Sequence, residues 1–366
     1  MAQLRVLHVR STSGFYGAER VLETLLPQLA HFEVRPSLCV LTAKHNSELF
    51  QRLSGAGVDA FEIGGQIGGR VAGLRRLRAQ MQGFSVIHTH DYLSAVSTRL
   101  VAPSNSALIG TVHGWTMRTA TLRLYAQLEL LAFRRFATVA VVDPKVVPRL
   151  EGRYRGRPTV EFVANAVDPE HFRPVPDTST PRRSGMVFGC IGRLDREKGQ
   201  RDLLEAFAAG RLAESGARLK FVGEGPDHGE LRARAEALGI LDAVEFAGER
   251  RDMAQVYAEI DCLVLPSLRE GMPMVVLEAL ASGKPVVATD VGAVSLLLSS
   301  GCGLVVPVGD REAMATALRR VAQSADERGI MGTAGRQLVE SNYSPRHQAS
   351  RYAQIYRTAL QRAGTS

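Results

Sequence analysis

The feature that most constrains the fold of this chain is a series of short, Val-rich apolar runs, each followed by a helix-like stretch. In the first half these runs span residues 4–9, 36–41, 85–90, 107–113, 137–143 and 159–164. In the second half they span residues 186–192, 217–223, 243–248, 261–266, 284–289 and 303–307. Continuous apolar runs suit strands that are buried on both faces, and alternation with helices implies parallel pairing by right-handed crossovers. The sequence therefore predicts an α/β fold built on parallel sheets.

A chain of 366 residues is too long for one ordinary core, so two domains are expected. The stretch 171–185 is rich in Pro, Ser and Thr and has no periodicity, which is typical of a linker. We predict two doubly wound, Rossmann-like domains that face each other across a cleft. The predicted boundaries are 1–172 for the first domain, 173–185 for the linker, 186–345 for the second domain and 346–366 for a C-terminal helix. Such sheets bind ligands beyond the carboxyl ends of their strands.

The net charge of +8 is uneven along the chain. Residues 1–180 hold 21 Lys and Arg against 14 Asp and Glu, whereas residues 181–366 hold 24 against 23. The basic excess of the first half suggests attraction to phosphates, on a ligand or on a membrane surface. Genomic bias toward Arg is the alternative, because only 5 of the 45 basic residues are Lys.

The sequence predicts a cytoplasmic protein, because no apolar segment is long enough to span a bilayer and the first residues lack a signal-peptide pattern. The four cysteines support this prediction. Cys39, Cys190 and Cys262 lie in strand-like runs, Cys302 lies in a Gly-flanked turn, and none forms a metal-type C-x-x-C pair. We interpret all four as buried free thiols.

The stretch GRLDREKG, residues 192–199, follows a predicted strand and precedes a predicted helix. Gly192 frees the backbone to turn, and two cations, Arg193 and Lys198, follow it. A helix N-terminus with two cations suits a phosphate or a diphosphate. The alternative is a solvated turn in which Asp195 and Glu197 pair with the cations.

Two further motifs follow neighbouring strands. The turn GEGP, residues 223–226, carries Gly223 and Glu224 and is weak evidence alone. In REGMPMVVLEALASG, residues 269–283, Pro273 suits the first turn of a helix, so Glu270 precedes the helix and Glu278 lies on its apolar face. A buried carboxylate needs donors, which a ribose diol supplies. The alternative is a salt bridge to a distant Arg.

In the first half, the Gly-rich turn STSGFYGAER, residues 11–20, follows the first strand and opens a helix. Gly14 and Gly17 would let the backbone approach a phosphate, although the turn does not match the dinucleotide fingerprint. His113 ends a strand at the predicted cleft edge. His88 and His90 end another strand, and one of them is expected only to pack.

Several motifs are absent. The sequence contains no D-x-D pair to chelate a cation on a nucleotide diphosphate, no P-loop, no nucleophile elbow and no Cys/His cluster with zinc spacing. No protein-bound metal is therefore expected, and neither a cofactor nor a nucleic-acid partner.

With these residues in hand, the chain resembles the retaining, GT-B-fold glycosyltransferases of family 4, also called glycosyl transferases group 1. The resemblance rests on GRL-x-x-x-KG at 192–199, P-S-x-x-E-G-x-P-x-x-x-x-E at 266–278, SGKPVVATDVG at 282–292, GLVVPVGD at 303–310 and N-x-V-D at 165–168. It covers essentially the whole chain, and it is stronger in the second half.

The resemblance implies a hexosyltransferase of class EC 2.4 that takes a UDP- or GDP-linked sugar. Arg193 and Lys198 would bind the diphosphate, Glu270 the hydroxyls of the donor sugar, and His113 would lie near the transferred sugar. The implied donor-binding residues are Gly14, Gly17, Gly192, Gly223, Glu224, Gly271, Met272, Met274, Val275 and Glu278. The first domain would bind a carbohydrate, lipid-linked or small-molecule acceptor, and the tail helix would pack back on that domain.

The chain departs from the family pattern in two places. Where the family commonly has G-G-x-P-E, it reads GAVSL at residues 292–296, so the usual acidic residue is missing. Ala166 replaces the glycine of N-G-V-D. The loop at 292–296 lies near the donor phosphates in such enzymes.

The expected reaction is transfer to an acceptor hydroxyl with retention of configuration and without a metal, in the synthesis of polysaccharides, glycolipids or glycoconjugates. A nucleotide-sugar epimerase and a non-catalytic nucleotide-sugar-binding protein are the alternatives. Peripheral contact of the basic first domain with the inner face of the plasma membrane is a separate hypothesis. It rests on GGRVAGLRRLRAQM, residues 68–81, and TLRLYAQLELLAFRRF, residues 121–136, and its alternative is a core-facing helix with a solvated basic side.

Overall fold

The computed structural model describes residues 3–12, 14–15, 17–42, 46–64, 71–114, 119–174 and 185–364. The chain divides into two compact units, one of Met1–Ala166 with Pro345–Ser366 and the other of Val167–Ser344. Each unit has its own sheet and its own apolar core.

The first unit is built on a parallel sheet of seven strands. Its strands are β1 (Leu4–Ser11), β2 (Val34–Thr42), β3 (Asp59–Gly64), β4 (Val86–Thr89), β5 (Ala107–Val112), β6 (Thr138–Val141) and β7 (Thr159–Phe162). Their order is β3-β2-β1-β4-β5-β6-β7, and Val6 of β1 pairs with Pro36 on one side and Val86 on the other. The strand order reverses at β1 and β4, which defines the edge where ligands bind in such sheets.

Helices cover both faces of this sheet. They are α1 (Gly17–Leu29), α2 (Glu48–Gly55), α3 (Val71–Gln80), α4 (Tyr92–Val101), α5 (Ala120–Ala132) and α6 (Val147–Tyr154). Local signals fix their starts: Asp91 caps α4 in a capping box with Ser94, and Thr119 caps α5.

The second unit has a parallel sheet of six strands. They are β8 (Val187–Ile191), β9 (Arg218–Val222), β10 (Val244–Phe246), β11 (Cys262–Leu265), β12 (Val286–Thr289) and β13 (Gly303–Val306), in the order β10-β9-β8-β11-β12-β13. Its helices are α7 (Gln200–Ala209), α8 (His228–Ala237), α9 (Met253–Ala258), α10 (Met274–Ala281), α11 (Val294–Leu297), α12 (Arg311–Gln323) and α13 (Ala325–Asn342).

All twelve predicted strands are present, and the structure adds β3, which the sequence did not predict. This strand lies at the edge of the first sheet, and only Ile63 of its six residues is buried. Since one face of an edge strand is partly exposed, its sequence DAFEIG lacks the continuous apolar run that marks the central strands.

The last described helix, α14 (Pro345–Gly364), belongs to the first unit although it follows the whole second unit in sequence. It packs on α1, and its residues Ala349, Tyr352, Ala353 and Tyr356 are buried at helical spacing. The hydroxyl of Tyr356 lies 2.8 Å from His88 Nδ1. The helix therefore completes the core of the first unit.

The boundary between the units differs from the predicted one. Residues 167–172, which the sequence placed in the first domain, belong to the second unit. The amide of Val167 donates to the Tyr343 carbonyl at 2.9 Å, and Arg336 Nη1 donates to the carbonyl oxygens of Phe172 and Ala281 at 3.0 and 2.9 Å. These bonds tie the segment to the second unit. Residues 175–184, most of the predicted linker, lie outside the described residues.

The four cysteines are free and buried, as the sequence predicts. Burial raises the pKa of Cys190 to about 12 and that of Cys302 to about 11, so these thiols stay protonated at neutral pH. Among the described helices, none combines the length and the apolar character that a bilayer span requires.

Candidate active site

In the second unit, the predicted motifs meet at the point where the strand order reverses. Strand β8 lies between β9 and β11. The loop after β8 holds residues 192–199, and the loop after β11 holds residues 266–273. Doubly wound sheets bind ligands at this position, beyond the carboxyl ends of the two central strands.

The loop after β8 is shaped by its own residues. Asp195 Oδ1 accepts a hydrogen bond from the Glu197 amide at 3.0 Å and starts a short 3₁₀ turn, Arg196–Lys198. Gly199 ends this turn with a φ of 67°, where a Cβ would collide with the Pro266 carbonyl oxygen. The Leu268 amide donates to the Glu197 carbonyl at 2.8 Å, so the loops after β8 and β11 are joined.

This junction brings together two predicted site residues, Lys198 and Glu270. Lys198 Nζ donates to Glu270 Oε1 at 2.7 Å, and the Ser267 hydroxyl donates to the same oxygen at 2.7 Å. The Thr289 hydroxyl from β12 donates to the Ser267 carbonyl at 2.6 Å. The carboxylate thus holds the ammonium group in place at the end of β8. An ammonium group has three N–H donors, so it can serve an anion as well.

Arg193 points outward from the same loop. Its side chain is 57% exposed, and its Nε lies 3.0 Å from Asp195 Oδ2. The alternative was that both cations pair with acidic residues of the same turn. This is correct for Arg193, which pairs with Asp195, but not for Lys198, which pairs with Glu270. Asp195 is buried, so this pair is not a fully exposed one, whereas the guanidinium of Arg193 reaches solvent, where its remaining N–H groups can contact an anion.

The turn after β9 packs directly on the loop after β8. Gly223 has a φ of 139°, and a Cβ there would collide with the Gly192 carbonyl oxygen. The Leu194 amide donates to the Glu224 carbonyl at 3.0 Å. At the GEGP turn, the backbone after β9 therefore lies directly against the backbone after β8. This contact positions the loop that carries Arg193 and Lys198, which we call the cationic loop.

Glu278 is 1% exposed and lies in α10, one turn past its first residue, Met274. The hydroxyl of Tyr257 lies 2.8 Å from Glu278 Oε2 and 3.1 Å from the Val275 carbonyl oxygen. Tyr257 comes from α9 and was not predicted, because no motif links it to the glutamate. Its hydroxyl orients one oxygen of the buried carboxylate.

The departure from the family pattern falls in the loop after β12. The Ala293 amide donates to the Gly271 carbonyl at 2.8 Å, which joins this loop to the one that carries Glu270 and the buried Met272. The hydroxyl of Ser295 in α11 donates to Asp290. A carboxylate is therefore present in this loop, although it lies before the helix.

In the first unit, polar side chains gather at the reversal between β1 and β4. Arg10 lies 2.9 Å from the buried Glu19 of α1, and it donates to the His90 carbonyl oxygen at 2.7 Å. The Ser11 hydroxyl donates to Asp91 at 2.7 Å. Arg10 and Asp91 were not predicted, because neither belongs to a sequence motif and only their place at the strand ends identifies them.

The predicted Gly-rich turn follows β1 at this edge. The Gly14 amide donates to the Thr12 hydroxyl at 3.2 Å, and Gly17 is the first residue of α1. Residues 13 and 16 of the turn lie outside the described part of the chain.

Three histidines of this edge form a chain of ring contacts. His113, just after β5, places Nε2 3.3 Å from His90 Nδ1, and His90 Nε2 lies 3.0 Å from His8 Nδ1. Burial, and to a lesser extent the charge of Arg10, lowers the pKa of His113 to about 3, so its ring is neutral at physiological pH. His88 instead bonds to Tyr356 and Thr111, which fits the expected packing role for one of the pair.

Two family models match the chain. The model described as Glycosyltransferase Family 4 matches residues 15–171, and the model described as Glycosyl transferases group 1 matches residues 185–324. A D-inositol 3-phosphate glycosyltransferase from Stackebrandtia nassauensis is 31% identical over 323 residues, which are 80% of this chain and 72% of that protein. This chain belongs to glycosyltransferase family 4. The predicted activity class, a hexosyltransferase-type glycosyltransferase, is confirmed by these matches.

More distant relatives extend over more of this family 4 chain. The putative glycosyltransferase EpsF of Bacillus subtilis is 24% identical over 351 residues, 88% of each chain. The crystal structure of HepE from Anabaena in complex with UDP aligns with a TM-score of 0.83 over 97% of this chain and 100% of that one, at 17% identity. Sucrose-phosphate synthase from Thermosynechococcus elongatus aligns with a TM-score of 0.80 over 98% and 99%, at 20% identity. The predicted GT-B fold is thereby confirmed.

Proposed function

We propose that this family 4 enzyme transfers a hexosyl residue from a nucleoside diphosphate sugar to an acceptor hydroxyl, in the synthesis of a glycolipid or polysaccharide. Relatives support the acceptor class, because they include a GDP-mannose-dependent phosphatidylinositol monomannoside mannosyltransferase of Corynebacterium glutamicum. HepE was solved with UDP and with UDP-glucose, which supports a nucleotide-linked donor.

The observation that carries the proposal is the Lys198–Glu270 pair at the reversal between β8 and β11. Lys198, fixed by the carboxylate, and Arg193, with its exposed guanidinium, would bind the donor diphosphate. Glu270 keeps a second oxygen, Oε2, for a hydroxyl of the donor sugar. A fixed cation at the leaving phosphate needs no reorganisation as charge develops there, which lowers the barrier.

The nucleoside would lie along the first turn of α10. There Glu278, with Tyr257 on one oxygen, would accept hydrogen bonds from the ribose diol. Backbone groups of Gly271, Met272 and Met274 would contribute further donors. In the first unit, we assign phosphate contacts to Gly14 and Gly17 and a sugar contact to His113.

The chemistry follows from the charges of the bond that breaks. The bond between the anomeric carbon and the β-phosphate oxygen breaks, and its electron pair stays on the phosphate, which the two cations stabilise. The acceptor oxygen bonds to the anomeric carbon from the same face, and its proton passes to the departing phosphate. The configuration is retained, and the step uses neither a nucleophilic side chain nor a metal.

The test incubates the full-length protein with UDP- and GDP-hexoses, with and without phosphatidylinositol or sugar acceptors, and measures the release of nucleoside diphosphate. We expect acceptor-dependent release from one donor class, unaffected by EDTA, with retained anomeric configuration by NMR. Conversion of donor into an epimer without acceptor would show an epimerase instead. Tight binding without turnover, unchanged in Glu270→Gln, would show a binding protein. Complete loss with EDTA and rescue by Mn²⁺ would contradict the metal-free step.

We further propose that this enzyme docks on anionic lipid through α5. Three leucines lie on one exposed face of this helix at positions 124, 128 and 131, with exposures of 56%, 40% and 54%. Arg134 and Arg135 follow directly and are exposed. Helix α4 packs against α5 and carries a further cation, Arg99, whose pKa is lowered by partial burial and by the charge of Arg135. Apolar side chains flanked by cations suit a surface of anionic headgroups.

The other segment predicted to contact a membrane, residues 68–81, gives weaker support for docking than α5 does. In α3, Leu77 is fully buried and Leu74 packs against the core, so the alternative of a core-facing helix with a solvated basic side fits this segment. Val71 remains exposed, and Arg70 lies outside the described residues. We therefore assign the docking surface to α5.

A further inference from the structure

We propose that two copies of this chain associate through the outer edge of β13, so that their six-stranded sheets join into one continuous sheet. Strand β13 lies at the end of the second sheet, and among the described strands it pairs only with β12. It does not belong to the loops that carry Lys198 and Glu270, so the inference is independent of the proposed reaction.

The composition of the edge strands sets β13 apart. The two described sheets end in β3, β7, β10 and β13. The first three each carry a carboxylate within the strand, namely Glu62, Glu161 and Glu245. Strand β13 reads GLVV and carries no charged residue. Because charges on an edge strand discourage pairing with another chain, three edges are protected and β13 lacks this protection.

The backbone of β13 offers hydrogen-bonding groups on its outer side. The Asp290 amide donates to the Val306 carbonyl at 2.9 Å, so Val306 faces β12. Backbone groups alternate in direction along a strand, so those of Gly303 and Val305 face outward, and the Val305 side chain is 40% exposed. A second copy in antiparallel alignment, with its Leu304 opposite Leu304, would place Gly303 opposite Val305. Each such pair exchanges both of its N–H···O bonds.

The helix beside β13 carries charges that match this alignment. Residues 307–310 join β13 directly to α12, so the helix runs back along the strand. A groove of about 390 Å³ lies between the two and is lined by apolar Leu304 and Ala317 and by Glu312 and Arg320. Glu312 is in the first turn of α12, near the end of β13, and Arg320 is in the last turn, near its start.

The antiparallel alignment would bring these opposite charges together. It places the two α12 helices side by side on one face of the joined sheet, so Arg320 of each copy approaches Glu312 of the other. Glu312 is exposed and makes no ion pair among the described residues. Arg320 binds Glu327 through Nε and Nη2, which leaves Nη1 for a second carboxylate. A twofold interface requires such self-complementarity, whereas a peptide from another protein would not, so the charge pattern favours a second copy.

The first test measures the mass of the full-length protein by sedimentation velocity over a range of concentrations at low salt. We expect a monomer–dimer equilibrium with a dissociation constant in the micromolar range, because the interface is small. Val305→Lys should raise this constant at least about tenfold, since it brings two like charges to the edge. Val71→Lys is the matched control, because it adds the same charge at a 65% exposed valine of the first unit, and it should leave the constant unchanged.

A charge swap tests the alignment itself. Glu312→Arg and Arg320→Glu should each raise the dissociation constant about tenfold, because like charges then meet across the twofold axis. The double variant should return to within about threefold of the wild type, since opposite charges pair again, and this recovery separates a broken contact from a folding defect. Wild-type protein that stays monomeric at every concentration would overturn the proposal. So would a dimer unaffected by Val305→Lys, or a double variant as weak as the single ones.

Discussion

Glu270 Oε1 lies 2.7 Å from Lys198 Nζ, although 72 residues separate the two in sequence. The carboxylate also accepts a hydrogen bond from the Ser267 hydroxyl. The loop that carries Glu270 is itself hydrogen-bonded to Thr289 of β12, so the position of the ammonium group is fixed. The cation is thus oriented in advance, which is the condition under which a charge at the proposed diphosphate site contributes most to catalysis.

Lys198→Ala should therefore lower kcat about 10²- to 10³-fold, because the charge on the leaving phosphate loses its fixed partner. Steady-state release of nucleoside diphosphate measures this. The matched control is Arg201→Ala, which removes an exposed cation of α7 that pairs with Glu230 at 3.3 Å. The control should change kcat less than about twofold. Equal losses in both variants would show that net charge, and not the position of Lys198, matters.

Tyr257→Phe should raise the donor KM about threefold to tenfold, because Glu278 loses the hydroxyl that orients one of its oxygens. Isothermal titration with UDP and GDP measures the same change without turnover. Tyr154→Phe is the control, since it removes a comparable bond of 2.8 Å, to the Leu130 carbonyl in the first unit. A donor affinity unchanged in Tyr257→Phe would remove Glu278 from the nucleotide site.

Gly223→Ala should abolish donor binding and destabilise the second unit by about 1–3 kcal/mol, because it adds a Cβ at a φ of 139° against the Gly192 carbonyl oxygen. Gly229→Ala is its counterpart in α8, where nothing lies near the added Cβ. That variant should be stabilised by about 0.5–1 kcal/mol. Urea denaturation of both variants gives the comparison, and a tolerated Gly223→Ala would mean that the turn does not position the cationic loop.

Acidification below pH 6.5 should destabilise the first unit. Burial lowers the pKa of His8 and of His113 to about 3, and it lowers the pKa of His88 and His90 as well. Between the folded values and the unfolded value of 6.5, the unfolded chain binds more protons, so stability falls as pH falls. Each histidine should contribute about 1.4 kcal/mol of lost stability at pH 5.5. Thermal unfolding should show this loss, reduced in His113→Asn; a constant Tm from pH 7.5 to 5.5 would contradict the burial of the rings.

Replacing Leu124, Leu128 and Leu131 together with Gln should abolish sedimentation with vesicles that contain phosphatidylglycerol, while activity on a soluble acceptor persists. Ile330→Gln is the control, because it removes a similarly exposed apolar side chain from the second unit. Wild-type protein that remains in the supernatant at low salt would end the docking hypothesis.

The central strands and the cation-bearing loops could be predicted from sequence because their signals are local. Each strand is a short apolar run, and Arg193, Lys198, Glu270 and Glu278 lie within the stretches that follow β8 and β11. Pairings between distant elements have no such signal. Tyr257 lies 21 residues before Glu278, on the far side of β11 in sequence, and only the tertiary fold brings its hydroxyl to the carboxylate.

The basic helix α3 shows a second reason why a structural role could not be predicted from the sequence. Its pattern of arginines beside leucines fits both a membrane surface and a core-facing helix, because the two place apolar residues at the same spacing. Only the burial of Leu77 separates them. The edge strand β3 was missed for a related reason, since partial exposure removes the apolar run that identifies a strand.

The position of α14 constrains how the protein is made. Strand β1 is translated before the second unit, yet its own unit lacks Tyr352, Ala353 and Tyr356 of α14 until the entire second unit has been translated. Nascent chains must therefore hold an unfinished N-terminal core, with His88 and Thr111 lacking their tyrosine partners, throughout that interval. Expression of residues 1–166 alone would trap that immature state, which is a direct consequence of the order of the elements along the chain.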